Sequence, residues 1–207
     1  MEICRKNKAG FLRAQQVLTE GGVIAYASDT IYGLGCLPEN KAAVEELYKL
    51  KKRKADKSCI ILIPPFFNIG KFVLEINSEA NLLISCFWPG PLTLVFKAKN
   101  LNYHPFLLSR SGSDSTIALR MPDDKKMICM LNYLGPIVST SVNISGQPAL
   151  NSADEIKAAF PQLPMIIEGA VKHKPSTVID VSGLKPRLIR EGAITKKDIY
   201  KATKIVL

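Results

Sequence analysis

The fold is decided by residues 21–63, which read GGVIAYASDTIYGLGCLPENKAAVEELYKLKKRKADKSCIILI. A Gly-Gly turn introduces the apolar segment 21–28, and two prolines stop the apolar segment 59–63, so both segments are predicted to be short buried strands. Between them, residues 41–52 carry apolar side chains at helical spacing, which predicts a helix with one face turned inward. The stretch therefore predicts a strand, a helix and a second strand.

The rest of the chain continues this interleaving of strands and helices. Further helices are predicted at 78–88, 123–135, 152–160 and 195–202, and further strands at 92–98, 116–121, 136–142, 165–167, 176–181 and 186–191. The last two helices begin with Ser152 and Thr195, each followed three residues later by an acid, which is typical of a helix cap. The pattern predicts an α/β fold with a mixed parallel and antiparallel sheet. No long linker divides the chain, so a single domain over 1–207 is expected.

Composition limits the classes of partner. The chain has 207 residues, of which 47% are hydrophobic and 22% charged, and this balance argues against disorder. The net charge of +10 predicts anionic partners, such as nucleotide phosphates, RNA or a membrane surface. No apolar run approaches the ~20 residues of a membrane helix, and the first residues lack the apolar core of a secretion signal. A cytoplasmic location is therefore expected.

Cysteine and histidine usage excludes several kinds of site. The five cysteines lie far apart in the sequence, and there are only two histidines. This spacing excludes an obvious disulfide framework or zinc ribbon, and it makes a histidine-rich metal site improbable. We expect reduced, buried, structural cysteines.

Polar clusters follow several of the predicted strands, where α/β proteins usually keep their sites. Ser28 and Thr30 come after the first strand and can serve either a capped turn or a small polar ligand. Six cations lie within residues 49–57, at the end of the first predicted helix. They can form a solvated basic face, but their mutual repulsion would be relieved by a bound polyphosphate. Lys51 and Arg53 are two residues apart and can converge on one anion from the helix end.

Two other regions carry hydrogen-bond donors. Residues 139–146 hold four hydroxyls and one side-chain amide, which can form a polar turn or can hold phosphate oxygens or a ribose. Arg120 ends a predicted strand, where a guanidinium suits a carboxylate. Residues 174–180 and 187–192 carry further donors at strand ends. The standard dinucleotide, Walker and nucleophile-elbow signatures are absent.

Taken in order, seven of these segments resemble the YrdC family. They are GGVIAYASDTIYGLG, LYKLKKRKADKSCIILI, WPGPLTLVF, IALRMP, STSVNISGQPA, KPSTVIDVSG and IREGAI, and together they cover roughly residues 10 to 195. The resemblance implies a twisted mixed sheet with surrounding helices and a basic concave cavity. It also implies synthesis of threonylcarbamoyl-adenylate from L-threonine, bicarbonate and ATP, with release of pyrophosphate and with Mg²⁺ bridging the phosphates. A separate transferase complex then modifies tRNA.

The resemblance also assigns residues. It places catalytic roles on Lys51, Arg53, Ser141 and Asn143. It implies ATP contacts by Arg53, Lys57, Thr116, Ser139, Ser141, Asn143 and Arg190, and L-threonine contacts by Ser28, Thr30, Arg120 and Ser176. No metal ligand is assigned to the protein itself. Because a carbamate is already anionic, such a site needs positioning and charge stabilisation rather than a strong base.

The chain departs from the family pattern at a few positions. Ala27 stands in place of a proline before the first hydroxyl, and Lys54 stands in place of a proline after the arginine. Glu191 stands within the terminal motif and would put a carboxylate near the nucleotide, which weakens the role of Arg190.

Three alternative functions remain open from the sequence. An RNA-binding module of the same fold fits the charge, although the 7% aromatic content offers few stacking platforms. Carbamoyl transfer in hydrogenase maturation usually needs a longer chain with additional cysteines. A YciO-type protein would lack the Lys, Arg, Ser and Asn set.

Overall fold

The computed structural model describes residues 1–54, 57–99, 104–111 and 114–207. Its helices are α1 (Lys8–Thr19), α2 (Lys41–Leu50), α3 (Ser78–Phe87), α4 (Lys125–Leu134), α5 (Ala153–Ala159) and α6 (Lys196–Thr203). Its strands are β1 (Glu2–Arg5), β2 (Ile24–Ala27), β3 (Tyr32–Cys36), β4 (Ile60–Leu62), β5 (Leu92–Lys97), β6 (Ser109–Ser111), β7 (Asp114–Arg120), β8 (Ile137–Ser141), β9 (Met165–Glu168), β10 (Thr177–Asp180) and β11 (Arg187–Arg190). Short 3₁₀ turns lie at Ile69–Lys71 and Pro105–Leu107.

All eleven strands belong to one mixed sheet. The order is β1-β9-β2-β3-β8-β4-β7-β5-β10-β11, and β6 pairs with β7. Parallel pairs are β1 with β9, β2 with β9, β4 with β7 and β5 with β10, and the remaining pairs are antiparallel. The predicted mixed α/β sheet is therefore confirmed.

The predicted helices and strands are confirmed to within a few residues, and both helix caps form. The Ser152 and Thr195 side chains each accept a bond from the backbone of the acid three residues on, and that acid bonds back. Helix α1 and strands β1, β3 and β6 were not predicted. Two glycines interrupt the apolar pattern of β3, so a prediction based on hydrophobicity does not detect this strand. The prediction that all cysteines are buried is wrong, because Cys86 and Cys129 are exposed.

The alternation of side chains along β7 separates the core from an open face. Ile117 and Leu119 pack into the apolar cluster that α3 and α6 cover. Thr116, Ala118 and Arg120 point to the opposite face, because successive residues of a strand face opposite sides of the sheet. That opposite face of β7, together with β5 and β10, forms the floor of a cavity.

The two glycines of β3 make room for a buried aromatic ring. The ring of Tyr26 crosses β3, and a Cβ on Gly33 or Gly35 would lie 2.9 or 2.7 Å from its atoms. A Cβ on Gly35 would also lie 2.7 Å from the carbonyl oxygen of Val138. The tyrosine hydroxyl thereby reaches Ser139 on β8 and donates a hydrogen bond of 2.6 Å.

We expect Gly35→Ala to destabilise the protein by about 2 kcal/mol, because the added methyl group must displace backbone as well as the ring. Gly183→Ala is the matched control, since the nearest atom to its added Cβ is 4.0 Å away. Thermal unfolding should show a fall of roughly 4–8 °C for the first variant and little change for the second. Equal melting temperatures for the two variants would show that the β3 glycines are not required by packing.

Candidate active site

A cavity of about 860 Å³ opens on the uncovered face of the sheet. This volume lies within the range of small-molecule sites. Its wall contains cations from several elements, namely Arg53, Lys57, Arg120, Arg187 and Arg190. Among the residues that the structure describes, Asp180 is the one carboxylate in the wall, and it is paired with Arg187 at 3.1 Å. The cavity is therefore suited to an anionic ligand.

Arg53 is held in place by the loop that follows α2. Its Nε donates to the carbonyl of Lys57 at 2.9 Å and its Nη2 to that of Ser58 at 2.8 Å. Its guanidinium also lies over the ring of Tyr48, 5.9 Å from the centroid. These two carbonyls use two of the five N–H groups of Arg53, and the residue lines the cavity, so its guanidinium can also meet an anion there.

Lys51 lies differently from the sequence expectation. Its side chain is only 1% exposed and does not line the cavity, so it does not converge with Arg53 on one anion. The ammonium instead lies 2.5 Å from the carbonyl of Ser141, and 2.9 Å from both the carbonyl and the Oδ1 of Asn143. Burial, and then the charge of Arg53, lower the pKa of Lys51 to about 8.

Ser141 and Asn143 form one network with Lys51. The Ser141 hydroxyl donates to Asn143 Oδ1 at 2.6 Å. The amide nitrogen of Asn143 donates to the carbonyls of Ile144 at 3.0 Å and Gln147 at 2.7 Å. Both residues line the cavity as expected, but the side-chain donors of Asn143 are used within its own turn.

The predicted threonine contacts meet at the end of β7. Arg120 is 3% exposed, and its Nη2 lies 2.5 Å from Asp29 Oδ2, while its Nη1 donates to Thr30 Oγ1 at 2.9 Å. Ser28 Oγ lies 3.0 Å from Thr30 Oγ1 and donates to the carbonyl of Ile31. The charge of Arg120 is thus partly offset by Asp29 before any ligand binds.

Ser176 and Arg190 belong to the same end of the cavity. Ser176 Oγ lies 2.9 Å from Thr93 Oγ1 in the floor, and Arg190 Nη2 donates to the Ser176 carbonyl at 2.9 Å. Burial, and then the charge of Arg120, lower the pKa of Arg190. Arg190 was expected beside the nucleotide, and the structure places it beside the predicted threonine contacts.

The expectation that Glu191 would put a carboxylate near the nucleotide is not supported. Its carboxylate accepts from the backbone N–H of Lys196 at the start of α6, and the residue does not line the cavity. Helix starts favour such negative charge.

The remaining predicted nucleotide contacts also line the cavity. Thr116 Oγ1 donates to the carbonyl of Ser109, Ser139 Oγ accepts from Tyr26, and Lys57 is exposed at the wall. Every residue predicted for the site lines this one cavity except Lys51.

Several residues of the site were missed by sequence reasoning. Asp29 lies between Ser28 and Thr30, and its position beside two predicted ligand contacts was a usable signal. Tyr26 donates to Ser139 in the cavity wall, and Asp180 accepts from Arg187 on the neighbouring strand. His173 also lines the cavity. No spacing rule links these residues to the site, because the sheet brings them together from distant elements.

The wall offers little to a resident metal ion. In the described ranges, no three residues of the types His, Cys, Asp and Glu lie close enough together to hold a metal ion. As a separate finding, no helix in those ranges is long and apolar enough to span a bilayer. Asp180 already accepts bonds from Ser182 and Arg187 on its two oxygens. These residues do not form a Mg²⁺ site of their own.

The lowered pKa of Lys51 has a measurable effect on stability. Between about pH 8 and the ordinary lysine value of 10.5, the unfolded chain carries a proton that the folded chain has lost. The contribution of Lys51 to the free energy of unfolding therefore rises with pH across this window. Urea unfolding at about pH 7 and about pH 9.5 should show the wild type gaining stability relative to Lys51→Met. Lys185→Met at an exposed position is the control, and an unchanged difference between wild type and Lys51→Met would contradict the shift.

Comparison with known proteins places the chain in a family. The Sua5/YciO/YrdC family model, described as "Telomere recombination", matches residues 16–192. The threonylcarbamoyl-AMP synthase of Pyrococcus abyssi (strain GE5 / Orsay) is 34% identical over 197 residues, which are 93% of this chain and 55% of that protein. The threonylcarbamoyl-AMP synthase of Shigella flexneri is 33% identical over 187 residues, which are 86% of this chain and 94% of that protein.

A solved structure shows the same architecture. The crystal structure of P. abyssi Sua5 complexed with L-threonine matches with a TM-score of 0.89 at 31% identity. The match covers 99% of this chain and 61% of that chain, so this chain spans less than two thirds of the archaeal relative. The order of the strands, the cationic cavity and these similarities together show that the chain belongs to the Sua5/YciO/YrdC family.

Proposed function

We propose that this protein is a threonylcarbamoyl-AMP synthase, a nucleotidyltransferase that makes threonylcarbamoyl-adenylate from L-threonine, bicarbonate and ATP and releases pyrophosphate. The observation that carries the proposal is the gathering of the predicted threonine and nucleotide contacts in one cationic cavity. The relatives named threonylcarbamoyl-AMP synthase, and the threonine complex of P. abyssi Sua5, support it. The proposed product serves tRNA modification by a separate transferase complex in the cytoplasm.

Two ends of the cavity suit the two organic substrates. Ser28, Thr30, Arg120 and Ser176, with Arg190 beside them, would hold threonine at the end of β7. There the two remaining N–H groups of Arg120 would meet the carboxylate. Arg53 lies near the Thr116 end of β7, because it bonds the carbonyl of Ser58, and the Ser58 hydroxyl accepts from Ser109, which pairs with Thr116. Lys57, Ser139, Ser141 and Asn143 line the same cavity. The Thr116 end would hold the phosphates of ATP.

The reaction then follows from positioning. The threonine amine adds to bicarbonate to form a carbamate with loss of water. A carbamate oxygen attacks the α-phosphorus of ATP, the bond to the bridging oxygen breaks, and pyrophosphate leaves with that electron pair. Arg53 would stabilise the charge that develops on the phosphates. No side chain must act as a strong base, because the carbamate is already an anion. We propose that Mg²⁺ enters as part of the ATP substrate.

The RNA-binding alternative has a weaker basis. Two cations of the cavity wall, Arg53 and Arg190, are held by backbone carbonyls of other residues in the wall. An RNA surface would instead present cations outward together with aromatic stacking platforms. Pyrophosphate release that depends on threonine, bicarbonate and ATP together tests the proposal. Tight RNA binding without that release would favour the alternative.

We expect Arg53→Ala to lower the rate of adenylate formation by roughly a hundredfold or more, because it removes the preorganised donors that face the phosphates. Arg13→Ala is the matched control, since Arg13 pairs with Glu2 on the surface. Threonine-dependent pyrophosphate release measures both variants, and circular dichroism checks the fold. A wild-type rate in Arg53→Ala would remove this residue from the mechanism.

Arg120 should control the affinity for threonine. Removing Arg120 alone would strand the Asp29 carboxylate in a buried position, so the variant to test is Arg120→Met with Asp29→Asn. We expect the KM for threonine to rise by roughly tenfold or more, while the KM for ATP changes by less than about threefold. Asp29→Asn alone is the control. A KM for threonine equal to that of the control would refute the assignment.

A further inference from the structure

We propose that Lys51 is a positioning residue, which fixes the turn of residues 141–147 and does not contact the phosphates of the nucleotide. This proposal rests on the proposed function and refines the role of one residue within it. It replaces the expectation that Lys51 and Arg53 neutralise the phosphates together.

The bonds of the Lys51 ammonium leave nothing for a ligand. An ammonium has three donors, and three acceptors of the turn lie within 2.9 Å of this one. The residue is 1% exposed and lies outside the cavity wall. To reach a phosphate, the Lys51 ammonium would have to leave three half-buried acceptors without its hydrogen bonds.

The main chain joins the same two segments. The backbone N–H of Ser145 donates to the carbonyl of Lys51 at 2.8 Å. Two kinds of hydrogen bond therefore link the end of α2 to the turn after β8. The side chain of Lys51 donates to the turn, and the carbonyl of Lys51 accepts from it. This closed link sets the shape of the turn before any ligand binds.

The side chain of Asn143 extends the same frame. Its oxygen accepts from Lys51 and Ser141, and its nitrogen donates to two carbonyls of the turn. Within the described part of the chain, the backbone N–H of Asn143 has no partner, and the residue lines the cavity. We infer that the turn offers an anion the main-chain N–H of Asn143, while Lys51, the Ser141 hydroxyl and the Asn143 side chain hold the turn in position.

The first experiment needs no nucleotide. Hydrogen exchange of the free protein reports the amides of Val142, Ser145, Gln147 and Leu150, which are bonded within or beside the turn. We expect exchange in the peptide covering 141–150 to quicken roughly tenfold or more in Lys51→Met and to stay at the wild-type rate in Arg53→Ala. Unchanged exchange in Lys51→Met would overturn the proposal. If Lys51→Met does not fold, Lys51→Gln takes its place, since its amide can bond two of the three acceptors.

The second experiment is a pair of double-mutant cycles on the rate of adenylate formation. If Lys51 acts through Asn143, the variant Lys51→Met/Asn143→Ala should be no slower than the slower single variant. For Arg53→Ala/Asn143→Ala, the fold-decrease in rate should equal the product of the fold-decreases of the two single variants, because Arg53 acts on the ligand independently. Multiplicative losses for the Lys51 pair would show a separate contact of Lys51 with the substrate and would overturn the proposal.

The two experiments also distinguish this proposal from the proposed function. If the wild-type protein made no adenylate, the proposed function would fail. The exchange measurement on the free protein would still report whether Lys51 holds the turn.

Discussion

The candidate site depends on one buried charge. Lys51 ends α2, and its ammonium bonds the turn that follows β8, so the basic loop and the hydroxyl-bearing turn meet at the same wall of the cavity. A buried ammonium is costly unless its donors are satisfied, and here three carbonyl or amide oxygens satisfy them. Burial, and then the charge of Arg53, still lower the pKa of Lys51 below its ordinary value. The turn is therefore held by a buried group whose three donors it satisfies.

A second buried charge organises the opposite end of the cavity. Arg120 and Asp29 form an ion pair with both side chains almost fully buried, and Asp29 also accepts the backbone N–H of Asp123. Asp29 Oδ1 has no partner in the described part of the structure. Such a pair is weak support for stability, but it fixes the plane of the guanidinium toward Thr30 and the cavity. Each end of the site is thus directed by a charged group that is itself held by the fold.

The uncovered face of β7, β5 and β10 provides the cavity whose two ends Lys51 and the Arg120–Asp29 pair organise. Helices α3 and α6 cover the other face of this half of the sheet, so the core is complete without a layer over the cavity. The half of the sheet that contains β9, β2, β3 and β8 has helices on both faces. The apolar cluster of α2 and α5 lies on one face, and the cluster of α1 and α4 lies on the other. Because one region of the sheet has no helix packed on it, the structure has a concave site on a rigid floor. Such a site suits a reaction that depends on positioning of the substrates.

The sequence by itself determined the class of fold, most element positions and a set of site residues of which all but Lys51 line the cavity. Periodicity marks elements whose apolar faces are continuous, and hydroxyls, cations and glycines in ordered motifs mark strand ends that carry ligands. It could not reveal β3, because its glycines are explained only by the Tyr26 ring that crosses them. It also could not reveal that Lys51 turns away from the cavity, that Arg190 bonds Ser176, or that Glu191 bonds the first N–H of α6. Those facts depend on which groups the sheet brings within hydrogen-bond distance, and the direction of a side chain is decided by its partners in space rather than by its neighbours in sequence.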